Sequence, residues 1–139
     1  AKARFKVKVD DTQHTLVPPE AGMARIYFIH EDGFLTEVPL GYPTSKFAID
    51  GAWVGADRGN SYFSAAVDPG EHHLCATLQS SIERRELVHF VAEEGKVYYY
   101  RTRLVLSGSV ELLELESIDS DQGQYLVGLF PLSISKLKK

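Results

Sequence analysis

Five histidines, His14, His30, His72, His73 and His89, are the side chains best suited to metal ligation or proton transfer. Imidazole changes charge near neutral pH and is the commonest protein ligand to a metal. Their spacing argues against a shared ion. His72 and His73 are adjacent in a segment that reads as a strand, so they project to opposite faces. No HxH pair and no HExxH motif occurs. Asp119-Ser120-Asp121-Gln122-Gly123 has the outline of a calcium loop, but its glycine comes one position early and Phe130 stands where the closing bidentate glutamate belongs. Helix capping accounts for both aspartates. The serines belong to no GxSxG elbow, and the single cysteine, Cys75, sits mid-strand without a helix N-terminus or adjacent base to lower its pKa. Gly51, Gly55 and Gly59 are followed by no Gly-Lys-Ser/Thr and read as bends rather than a phosphate loop. Glu83-Arg84-Arg85-Glu86 reads as a solvated strand end. The expectation is no catalytic residue, no metal and no cofactor.

Aromatic residues point instead to recognition. Trp53, Asp57, Arg58 and Tyr62 flank one turn, and on the outer side of a hairpin they would form a partner-contact patch of the composition that interfaces favour. In Tyr98-Tyr99-Tyr100, alternation sends Tyr99 to the face opposite the other two.

The elements that must carry these residues are strands. Segments rich in Val, Ile, Leu, Tyr and Phe alternate with period two between Gly, Pro, Asp and Asn turns. Residues 4–9 place Phe5, Val7 and Val9 on one side and read as an edge strand. Residues 23–30 are apolar on both alternating sets, which suits a strand covered on both faces. A short edge strand is expected at 34–38, followed by the Gly41-Tyr42-Pro43 loop. Segments 46–50 and 52–56 are split by Gly51, and 57–60 is expected to close a hairpin onto 61–67. Asp68-Pro69-Gly70-Glu71 is a reverse turn in which proline presets one φ and glycine supplies the positive one. Strands follow at 72–79, 83–92, 96–106 and 110–118, with a hairpin expected at Glu93-Glu94-Gly95 and a bulge at Leu112-Leu113. After Asp119, the residues Tyr125, Leu126, Leu129 and Phe130 recur at helical spacing as far as Pro131. Gly123 and Gly128 weaken that helix by about 1 kcal/mol each, so it needs an outer sheet face to pack on.

Roughly eight or nine short strands with one late helix predict an all-β protein, an antiparallel β-sandwich of immunoglobulin-like or transthyretin-like kind with a short C-terminal helix. The expected organisation is an N-terminal extension over 1–20, the sandwich over 21–131 and a basic tail over 132–139. With 139 residues the chain suffices for one core. Its 15 basic against 19 acidic residues give a net charge of −4 with no basic stripe, which removes the electrostatic footprint of nucleic-acid binding. No apolar run approaches the ~20 residues of a transmembrane helix.

The order of PPEAGMARIYF (18–28), IDGAWVG (49–55), SYF (61–63), VDPGEHHL (67–74) and GKVYYY (95–100) resembles a bacterial family of small exported domains, catalogued only as a domain of unknown function and often found in lipoproteins. The V-x-PGEH-x-L turn more distantly resembles PEGA and carboxypeptidase-regulatory-like β-domains. The resemblance implies a sandwich exported to the periplasm or cell envelope, with no catalytic residues to carry over. His30 stands where that family commonly has a basic residue. The expected function is a non-enzymatic module binding an envelope protein or glycan, with homodimerisation through an exposed edge strand. A small hydrolase or transferase would instead require the histidines and carboxylates to meet in a pocket. A carrier of apolar ligands would require a cavity between the sheets.

Overall fold

A computed structural model describes residues 4–12, 15–31, 44–79, 86–107 and 110–138. The strand expected at 34–38, the loop at 41–43, His14 and the arginines of the 83–86 run lie outside them.

Among the described residues, ten strands and one helix build a β-sandwich. One sheet has six strands, β1 (Phe5–Asp10), β2 (Ala24–His30), β5 (Ser61–Val67), β8 (Val97–Ser107), β9 (Val110–Ile118) and β10 (Leu132–Leu137), in the order β1-β10-β5-β2-β8-β9. The other has four, β3 (Thr44–Ile49), β4 (Ala52–Arg58), β6 (Gly70–Leu78) and β7 (Glu86–Ala92), ordered β4-β3-β6-β7. Pairing is mostly antiparallel. The exceptions are β2 with β8 and β5 with β10, which run parallel.

Alternation in the sequence maps directly onto the layers. Ile26 and Phe28 of β2 meet Phe47, Phe63, Leu74, Phe90 and Tyr100 between the sheets, whereas Tyr27 and Ile29 point to the opposite face. That second face is covered by helix α1 (Ser120–Leu129), capped by the Asp119 carboxylate, which accepts from the Gln122 N–H at 2.8 Å. Tyr99 lies beneath the helix and Tyr100 in the inter-sheet core, as alternation requires. The buried helical stripe is Gly123, Leu126, Val127 and Phe130, while Tyr125 and Leu129 face solvent. The expected stripe was therefore rotated. The cause is Gly123: its lack of a side chain lets the backbone sit directly on the Tyr99 ring, turning that side of the helix down.

Three local expectations are corrected. Segments 52–56 and 61–67 do not pair as a hairpin, because Asp57–Asn60 carries the chain from the four-stranded to the six-stranded sheet. Glu93-Glu94-Gly95 likewise crosses between β7 and β8 in different sheets. The tight hairpin is β3–β4, turned by Asp50 and Gly51 at φ 52° and 84°, the left-handed pair that a two-residue turn requires. The bulge falls at Phe47/Ala48 in that hairpin, and the β8–β9 register runs unbroken through Leu112-Leu113.

Residues 132–137, read from composition as tail, form β10, and β1 pairs with it from Phe5 opposite Leu137 to Asp10 opposite Leu132. β10 also closes one side of the sandwich. Ser135 and Ser133 hydroxyls accept from the Ala56 and Arg58 N–H groups of β4 at 3.0 and 3.3 Å. On β1, both backbone groups of Phe5 are taken by the Gln79 carboxamide.

Candidate functional site

The chemistry-bearing side chains gather at one end of the four-stranded sheet, where the β3–β4 turn meets β6. Asp50 sits in that turn and extends the ladder, donating its N–H to the His73 carbonyl at 2.9 Å. Its carboxylate binds two neighbouring residues of β6. One oxygen accepts from the His73 backbone N–H at 2.8 Å, and the other lies 2.6 Å from His72 Nδ1. His72 Nε2 is 2.6 Å from the Asp68 carbonyl oxygen.

Both ring nitrogens of His72 thus face groups that only accept, so the geometry calls for two N–H donors and a charged imidazolium. Burial works against that charge, but the Asp68 carbonyl and the Asp50 carboxylate outweigh it and raise the His72 pKa above its ordinary 6.5. The His73 N–H and then the His72 ring hold Asp50 below the ordinary 3.8. The result is an ion pair clamping the β3–β4 turn to the Asp68–Gly70 turn.

His73 leaves β6 on the opposite, outer face, and β6–β7 pairing sets His89 directly across from it. The two imidazoles lie 5.0 Å apart, with Glu71 3.5 Å from His89 Nε2. The next outer row is Trp53, Ala48, Cys75 and Leu87 across β4, β3, β6 and β7. Lys46 Nζ lies 4.6 Å from the Trp53 ring centre, a cation–π contact. Leu87 and Val91 bracket His89 on this face with 70% and 55% of their surface exposed. The imidazoles and aliphatic side chains are open to solvent on the β6–β7 half of this face, while Trp53 is half-buried and Ala48 and Lys46 are buried on the β3–β4 half.

Of the residues expected in a contact patch, only Trp53 and Arg58 reach solvent. Tyr62 is buried in the helix-covered cluster, and Asp57 is fully buried near His30. The four do not form one surface, because the chain changes sheets between Asp57 and Tyr62.

His30, Ser45 and Asp57 make a separate polar group inside the molecule, all fully buried. Ser45 Oγ lies 2.9 Å and Asp57 Oδ1 3.7 Å from the same His30 atom, Nδ1. A nucleophile–base–acid relay needs its serine and carboxylate on different ring nitrogens, so this cluster is built as a structural polar centre. A cleft of about 330 Å³ opens where β10 diverges from β5 after the Leu132–Tyr62 pair, lined by Thr15, Val17, Tyr27, Tyr62, Ser64 and Ser135 among others. Hydroxyl and apolar side chains, among them Phe63, Leu132 and Ile134, line it together. Among the described residues, no three His, Cys, Asp or Glu side chains converge as a metal site needs.

Sequence reading missed the role of Asp50 and the His73–His89 pair. The first had a signal in the Asp-Gly dipeptide of a two-residue turn; the second depended on cross-strand register. Comparisons with family models, curated proteins and solved structures returned no match.

Proposed function

We propose that the protein is a non-enzymatic binding module of the bacterial cell envelope that docks a partner on the outer face of its four-stranded sheet. The observation that carries this reading is the exposed group of His73, His89, Leu87 and Val91 on one face, with half-buried Trp53 at its far edge, a mixture of aromatic, amphipathic and apolar groups typical of recognition surfaces. Two further features support it. The histidine–carboxylate contacts lie on a surface open to water, where general acid–base groups act weakly, and the buried Ser45–His30–Asp57 group is sealed from any substrate. Localisation in the envelope rests on the sequence resemblance alone.

Immobilised protein exposed to bacterial envelope extract and to peptidoglycan fragments should retain one class of component. Trp53→Ala and His73→Ala should each weaken that retention several-fold while leaving the melting temperature nearly unchanged, since truncating a central aromatic in an interface typically costs more than 1 kcal/mol of binding. Retention insensitive to both substitutions, or substrate turnover by the purified protein, overturns the reading.

A further inference from the structure

We infer that β7 is a self-association edge, through which two copies pair antiparallel about a two-fold axis at His89 to give a continuous eight-stranded sheet. This goes beyond the partner-binding reading and does not depend on it.

An exposed sheet edge is a template for another strand unless something blunts it. Three edges of this sandwich are blunted. The β4 edge is covered by the Ser133 and Ser135 hydroxyls, and the Phe5 backbone groups of β1 by the Gln79 carboxamide. The β9 edge strand presents charged side chains at Glu114 and Glu116, each paired with an arginine of β8. β7 differs on each count. Among the described residues it pairs with β6 alone, its register runs without a bulge from Glu86 to Ala92, and its sequence, ELVHFVA, contains neither lysine nor proline.

The strand is also complementary to itself. Residues facing each other across a sheet must point to the same side, so a two-fold pairing that keeps both outer faces together must be centred on a residue rather than between two. Centring on His89 sets Leu87 of one copy against Val91 of the other, twice, joining the two most exposed aliphatic positions of the strand. Centring one residue earlier or later sets a histidine against Leu87 or Val91 instead. Pairing about His89 is the isologous arrangement of a closed dimer, in which one patch serves both partners.

Sedimentation velocity over a concentration series of the whole chain should show a reversible monomer–dimer equilibrium, weakened by about ten-fold or more in Val91→Lys, since an edge lysine is a standard block to strand addition. Val91 is exposed, and an unchanged circular dichroism melt verifies folding. Register is read in a Cys75→Ser background: His89→Cys, on the axis, should cross-link two copies on oxidation, and Leu87→Cys should not. A wild-type chain monomeric at every concentration overturns the inference. So does a dimer indifferent to Val91→Lys, or one in which Leu87→Cys cross-links in preference to His89→Cys.

Discussion

His72 shows how one side chain can join two turns that strand pairing alone leaves free. Its ring bridges the Asp50 carboxylate and the Asp68 carbonyl with only 12% of the side chain exposed, and it needs both protons to do so. Because its folded pKa lies above 6.5, its contribution to stability is complete below that value and fades as pH rises through the raised pKa. Asp50 acts in the opposite sense: its folded pKa lies below 3.8, so its contribution holds above 3.8 and fades as pH falls through the lowered value. The pair is therefore most stabilising between those two ordinary values. Thermal melts should show stability falling as pH climbs from 6.5, and His72→Gln should flatten that slope. An unchanged slope in the variant would assign the titration to another group. His72 was legible in the sequence as a titratable residue on a strand; its double acceptor environment was not, because Asp50 and Asp68 belong to different turns.

At the scale of the element, α1 shows a glycine that serves packing against its own helical propensity. Alanine in place of a mid-helix glycine ordinarily gains about 1 kcal/mol. At Gly123 the added Cβ would fall within the Tyr99 ring, and Tyr99 is stacked on Tyr27 at 5.3 Å, so the ring has little room to yield. Overpacking of this kind typically costs about 1–3 kcal/mol. Gly123→Ala should therefore lower the urea midpoint, while Gly128→Ala, with open space at its Cβ, should leave it unchanged or raise it. Chemical denaturation of the two variants side by side checks this. The helix, its Asp119 cap and its place on a sheet face were readable from residues 119–131. Its rotation was not, because Tyr125 and Leu129 are as apolar as the residues that are buried.

The whole molecule is held by partners far apart in sequence, and β10 is its clearest case. β10 lies between β1 and β5, and its two serines satisfy the edge of β4, so it fastens both sheets on one side of the sandwich. A chain ending at Pro131 should lose the β1 pairing, uncover the β4 edge and melt well below the full chain, with aggregation of the exposed edge. Differential scanning calorimetry and light scattering measure both effects. Equal stability of the truncated chain would show that β10 is an accessory. On the opposite side, β7 carries the exposed Leu87 and Val91 and, with β6, the His73–His89 pair.

The sequence by itself determined that this chain is all-β, where most strands start and stop, which of their faces are apolar and that a helix follows the last core strand. Those properties depend on neighbours two to four residues apart, through side-chain alternation, turn stereochemistry and capping. Only the tertiary structure decided that 57–60 and 93–95 cross between sheets, that 132–137 is a strand, that Tyr62 and Asp57 are buried and that His73 meets His89. A strand's pairing partner and register follow from the burial of the whole apolar surface and the satisfaction of every backbone group, and no local stretch of sequence encodes either.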